Sequence, residues 1–247
     1  MLERAWRCDK TDLVREFLRQ RGDQRVDVAK LWYSVMSNRE YVPSVVDCLL
    51  QLDDDRRIEQ AQVQRAVTLV INRITTPATQ PLFEKLINLR GARRVDVRAQ
   101  NNKLFVNACK TAPLRCVELL LRLEGDRSVD VHARNGQGFV NACQRPDGFG
   151  VAKMLLDLTG HRRIDVHAQD DRAFVTACRY GRADVVELLL SLDGDRTITF
   201  DSNDAFVEAC GSGCSSVVAQ LLQGEGKAWR QFNFAAVAEQ ALSKACR

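Results

Sequence analysis

Apolar residues recur in a fixed order along most of this chain. Across 163–196 they run Ile164 and Val166, then Phe174, Ala177 and Cys178, then Val185, Val186, Leu188, Leu189 and Leu190. The same order fills 94–127 and 128–162, framed by V-D-V-x-A at the start and Gly-Asp-Arg or Gly-His-Arg at the end. Phe174, Ala177 and Cys178 fall at i, i+3 and i+4, one face of a helix. The Val185–Leu190 run gives a second helix with a wider apolar stripe. Arg179-Tyr180-Gly181 is expected to end the first helix, with Gly in the left-handed cap position. Gly194-Asp195 ends the second. Neither short helix buries its face alone, so the pairs are expected to stack.

The leading Val or Ile of each unit stands at Val26, Ile58, Val95, Val129, Ile164 and Ile198, spaced 32 to 37 residues apart. Weaker matches extend the array. Ala5-Trp6 sits at the Ala-Cys step and Gly22-Asp23 at the turn, while Phe232 takes the leading place and Ala245-Cys246 follows it. The units are 1–24 (partial), 25–57, 58–93, 94–127, 128–162, 163–196, 197–230 and 231–247 (partial). The 58–93 unit diverges. It lacks the Ala-Cys step and the Gly-Asp turn and contains Pro77 and Pro81, so its second helix starts late, near Leu82, or the unit marks a bend.

A period near 34 with a helix–Gly turn–helix frame resembles the ankyrin repeat. The residues that carry the likeness are Ala177-Cys178-x-x-Gly181, Val185-Val186-x-Leu188-Leu189-Leu190, and the Asp165-Val166-His167-Ala168 type of segment. The likeness is good over 94–223, fair over 1–57 and poor over 58–93, and is similar to that of the diverged arrays of protists and giant viruses. It implies an all-α solenoid of stacked helix-turn-helix repeats. The Thr-Pro-Leu-His start of the family's first helix is absent, and the segment from Val166 to Cys178 is short. A tighter loop is therefore expected in place of the family's β-hairpin finger. A tetratricopeptide array has the same period, but its Trp, Gly and Tyr positions are missing.

Composition adds limits. The chain has 247 residues, a formal net charge of +4 and 45% hydrophobic residues. That balance is too apolar for disorder and too weakly basic for a dedicated nucleic-acid binder. No apolar run approaches the ~18 residues of a membrane span, and Met1-Leu2-Glu3-Arg4-Ala5-Trp6-Arg7 has no secretory core. Nine cysteines in a chain this long read as reduced thiols, so the cytoplasm, or an intracellular compartment such as the nucleus, is the expected location.

Candidate chemistry mostly dissolves into the frame. Cys109, Cys143, Cys178, Cys210 and Cys246 share one repeat position, a helix-packing distance of about 8–10 Å apart, too far for disulfide or zinc geometry. They read as buried core, as do Cys48 and Cys116. Cys210 and Cys214 flank a Gly-Ser-Gly turn. His132 and His167 are equivalent loop positions, expected to cap a helix or a neighbour's backbone. His161 reads as solvated. Arginines form a column two residues before the leading position (Arg56, Arg93, Arg127, Arg162, Arg196). Acids follow that position (Asp27, Glu59, Asp96, Asp130, Asp165), so the columns are expected to pair. Asn135-Gly136-Gln137-Gly138 lacks the Lys of a phosphate loop. No catalytic residue, metal site or cofactor is expected, and the chain reads as a non-enzyme.

Function then falls to the exposed face of the first helices. Opposite Phe174, Ala177 and Cys178 lie Arg172, Thr176 and Arg179, with Tyr180 alongside. The equivalents are Lys103, Asn107 and Lys110; Gln137, Asn141 and Gln144; Asp204 and Glu208. A strip changing from basic to acidic suits a protein partner, and the resemblance implies a non-catalytic protein-interaction scaffold. The alternatives are a structural subunit of a large assembly, or nucleic-acid binding through the Arg column. Because Ala5-Trp6 and Ala245-Cys246 fall inside partial units, the terminal repeats are expected to be covered by more repeats or another subunit.

Overall fold

A computed structural model describes residues 2–20, 26–37, 42–52, 57–73, 79–198 and 204–223. The described residues form 14 α-helices and no strand. In chain order these are α1 (Leu2–Arg7), α2 (Thr11–Arg19), α3 (Val28–Ser37), α4 (Pro43–Leu50), α5 (Gln60–Arg73), α6 (Gln80–Ile87), α7 (Ala99–Thr111), α8 (Leu114–Leu121), α9 (Ala133–Gln144), α10 (Phe149–Leu156), α11 (Ala168–Arg179), α12 (Ala183–Leu190), α13 (Asp204–Gly211) and α14 (Ser215–Gln223). The partial unit 231–247, with Phe232 and Cys246, lies outside the described residues.

Two compact units result, Met1–Ala99 with Thr111–Ser128, and Gln100–Lys110 with Val129–Arg247. Packing within each is sequential. In the first, α1 packs on α2, α3 on α4 and α5 on α6; α3 also meets α5, α2 meets α4 and α6 meets α8. In the second, α9, α11 and α13 lie side by side, and so do α10, α12 and α14. The apolar frame is what these contacts bury. Ala108, Cys109, Ala142, Cys143, Ala177 and Cys178 are all fully buried.

Where the frame has a Gly turn, the helix end is a Schellman cap. Gly181 takes φ +65°, its N–H donates to Cys178 O, and Arg182 N–H donates to Ala177 O at 2.9 Å. Gly213 repeats this, and Asp9 does so with φ +50°. Each second helix from α6 to α12 is followed by one turn of 3-10 helix, Gly91–Arg93, Gly125–Arg127, Gly160–Arg162 and Gly194–Arg196. This corrects one part of the reading of 58–93, the loss of the turn, and agrees with the other. The unit keeps its turn with Ala92 in place of Asp, and its second helix begins late, at Gln80.

In place of a hairpin, three loops share an unusual backbone. Gln100-Asn101-Asn102, Arg134-Asn135-Gly136 and Gln169-Asp170-Asp171 are all left-handed, with φ between +53° and +75°, just before the right-handed helix begins. Left-handed geometry costs roughly 1–2 kcal/mol per non-glycine residue, and Asn and Asp tolerate it best. Contacts from the next unit hold it. Arg134 donates to Gln100 O at 2.8 Å and to Asn101 O, and Gln169 Nε2 donates to Asn135 O at 2.7 Å.

The V-D-V backbone also needs partners, because buried amides cannot be left unmet. Side-chain amides of the preceding first helix supply them. Gln64 accepts from Asp96 N–H at 2.8 Å and donates to Asp96 O at 2.9 Å, while Gln60 donates to Arg94 O. Asn102, buried, accepts from Asp130 N–H at 3.0 Å.

Candidate binding surface

The strip of candidate residues lies within the second unit, on α7, α9, α11 and α13 and the turn that follows α11. Lys103, Lys110, Arg172, Arg179, Tyr180 and Asp204 are exposed. Gln137, Gln144, Asn107 and Glu208 are half-buried. Asn141 and Thr176 are buried, at 7% and 8% exposure, which corrects the expectation that the middle row faces solvent. The reason is lateral packing. α9 and α13 flank α11 on both sides, so the buried arc of a first helix reaches past its Phe-Ala-Cys face. Asn141 uses its position structurally, donating to Val106 O at 3.0 Å and accepting from Gln137.

Two members of the strip are joined. Arg179 Nε meets Glu208 Oε2 at 2.8 Å, bridging α11 and α13. The exposed positions therefore form two edges. One is at the N-terminal ends of the first helices (Lys103, Arg172, Asp204), the other at their C-terminal ends (Lys110, Arg179, Tyr180).

In the arginine column, Arg93, Arg127 and Arg196 are directed at helix carbonyls rather than at the acidic column's carboxylates. Arg93 donates to Leu50 O and Leu52 O, Arg127 to Ile87 O, and Arg196 to Leu156 O at 3.0 Å. Those carbonyls lie at the C-terminal ends of α4, α6 and α10. There the last four carbonyls of a helix lack helical partners and its dipole favours a cation. Burial lowers the Arg127 pKa from its ordinary value, and the nearby Arg94 adds to the effect. Arg56 lies outside the described residues. The acids instead accept local backbone N–H groups, Asp96 from Arg98, Asp130 from His132 and Asp165 from His167. Ion pairs between neighbouring loops use a different set, Arg94 with Asp126 and Arg163 with Asp195, each at 2.6 Å. The sequence signal for these was present, one residue after the column and inside the Gly-Asp-Arg turn, but nothing in one unit shows that the two loops meet.

The histidines behave as backbone caps. His132 Nε2 lies 3.1 Å from His161 O, and His167 Nε2 lies 3.1 Å from Asp195 O. His167 Nδ1 also meets Asp171 Oδ1 at 2.6 Å. Partial burial works against the charged His167 ring, but the hydrogen bond that the ring donates to Asp171 and the charge of Asp171 outweigh it, and the pKa is raised.

The recurrent thiols are core. Cys48, Cys109, Cys116, Cys143 and Cys178 are buried, while Cys210 and Cys214 are half-buried. Burial pushes the Cys109, Cys143 and Cys178 thiols far up, and that of Cys116 to about 12. Among the described residues no group of three His, Cys, Asp or Glu is placed to hold a metal ion, and no helix is long and apolar enough to cross a membrane. Asn135 and Gly136 belong to a left-handed run, and Gly138 lies against the Phe105 ring. Compared with known proteins, the chain matches no family model, no curated relative and no solved structure.

Proposed function

We propose that the chain is a non-catalytic protein-interaction scaffold, an ankyrin-like solenoid that binds a partner protein along the two exposed edges of its first helices. The observation that carries this reading is the side-chain series on those edges. Lys103 and Lys110, Gln137 and Gln144, then Arg172 and Arg179, then Asp204 differ in charge on a nearly constant backbone. Uniform phosphate has no use for such changes of charge, whereas a polypeptide with its own charge order does. The nucleic-acid alternative has less to stand on, because Arg93, Arg127 and Arg196 of the column are directed at helix carbonyls.

The sharpest test avoids Arg179, whose pairing with Glu208 makes its reversal a structural change. Lys103→Glu combined with Arg172→Glu changes exposed, distinct sites, and surface changes usually stay within about ±0.5 kcal/mol. Quantitative pull-down with wild type and the double variant should show the same partner lost by the variant, at unchanged melting temperature. Equal recovery of every captured protein by both would sink this surface.

A further inference from the structure

Seven second helices lie among the described residues, and six bury the same two positions. At the third residue of the helix stand Val45, Leu82, Cys116, Val151, Val185 and Val217; at the seventh stand Leu49, Leu86, Leu120, Leu155, Leu189 and Leu221. All twelve are buried. In α2 the same positions are Leu13, which is 48% exposed, and Phe17, which is half-buried. The next row of α2, Val14 and Leu18, is buried, and α2 packs on α1 and α4. Only the Leu13–Phe17 row is left open. In the second unit α12 has a second helix on either side, α10 and α14; among the described residues α2 packs on one, α4.

The polar groups around this row match the frame as closely. The turn at Asp9 has the cap geometry of Gly181, with Lys10 N–H donating to Ala5 O at 3.0 Å as Arg182 N–H does to Ala177 O. Lys10 therefore stands where Arg182 stands. Arg182 Nε donates at 2.9 Å to the carbonyl of Gln144, the last residue of the preceding first helix. Arg4 stands where Asn141 stands, and Asn141 donates to Val106 O of its preceding first helix. Lys10 and Arg4 are exposed cations at the corresponding positions of the frame. Together Arg4, Ala5, Cys8, Lys10, Leu13 and Phe17 line an open groove of about 460 Å³.

We propose that the α1–α2 groove is a docking surface for one further helix pair of the same frame, carried by a partner chain. The partner's second helix lays a Val/Leu flank on Leu13 and Phe17. The C-terminal carbonyls of its first helix accept from Lys10. This face is separate from the first-helix edges, so its test and theirs fail independently.

The probe is an in-frame extension of the full chain. Residues 128–173 are joined directly ahead of Leu2, because Leu2 occupies the place of Phe174. The extended protein should melt at a higher temperature, and labelling of Cys8, followed by peptide mass spectrometry, should slow by roughly tenfold or more, since protected sites react only through local opening. Leu13→Glu should leave the melting temperature of the unextended chain nearly unchanged and abolish both gains in the extended one. An extended chain with the parent's melting temperature and Cys8 reactivity overturns the proposal. Two checks use the unextended chain alone. A large loss of melting temperature in the Leu13→Ser, Phe17→Ser double variant would show that the row belongs to the core, and would also overturn it. Concentration-dependent self-association that protects Cys8 would assign the groove to a second copy in place of a partner's helix pair.

Discussion

Single side chains here act mainly on their neighbours' backbones, and their energetics follow from that. Cys178 is fully buried with its thiol pushed far up by burial, so it behaves as a small hydrophobe. Cys178→Ser should destabilise by about 1–3 kcal/mol in denaturant unfolding, the cost of placing a hydroxyl in a packed apolar site. Native-state labelling of Cys109, Cys143 and Cys178 should be slow compared with exposed Cys8, and rapid labelling would contradict the core assignment. His167 makes a pH-dependent contribution. Both ring nitrogens face acceptors, Asp171 Oδ1 and Asp195 O, so the doubly protonated ring satisfies both. Its folded pKa is raised above the unfolded value of about 6.5. The contribution is therefore complete below that unfolded value and is lost as pH rises through the folded one. Thermal melts should show His167→Gln losing most relative to wild type near pH 5.5 and least near pH 8.5. A difference that grows with pH would reverse this assignment.

At the level of helices, what could be read from the chain depended on how many neighbours an element has. The helix pair was legible because Phe174, Ala177 and Cys178 repeat at helical spacing, and the cap was legible because Gly181 follows them. Burial of Asn141 and Thr176 was not, because it arises from the flanking helices and not from the helix's own pattern. The left-handed loops had a partial signal in Asn101, Asn102, Asn135, Asp170 and Asp171, residues that tolerate positive φ. Three such residues in succession, braced by Arg134 and Gln169, need a neighbour to become visible. First helices also approach closely. A Cβ placed on Gly138 would lie 2.9 Å from the Phe105 ring, whereas Ala173 fills the same position one unit on. Gly138→Val should overpack this contact and cost roughly 1–3 kcal/mol. Urea unfolding would measure it, and a neutral result would mean that α9 shifts away from α7 without penalty.

For the whole molecule, the net charge of +4 is less informative than where the charges are spent. Arg93, Arg127 and Arg196, which read as part of a stripe along the sequence, are spent at helix ends. The chain should therefore bind generic duplex DNA only weakly at low salt, without the steep salt dependence of several phosphate contacts. A titration by fluorescence anisotropy at two salt concentrations decides the point, and tight, salt-steep binding would restore the nucleic-acid reading. The amide supplied by one unit to the next has a different kind of consequence. Seven residues after the leading Val or Ile stand Asn102, Gly136 and Asp171. Asn102 accepts the next unit's Asp130 N–H, Gly136 has no side chain to offer, and Asp171 is engaged with His167. The units are therefore not interchangeable copies. Loss of 128–162 would bring Asp165 N–H opposite Asn102, which can accept it, and a second copy of 128–162 would only repeat the junction that Asp165 already makes with Gly136, whereas a second copy of 163–196 would bring Asp165 N–H opposite Asp171, which His167 already engages. Each junction carries its own key, and a lineage that gains or loses units by recombination would find some exchanges silent and others disruptive.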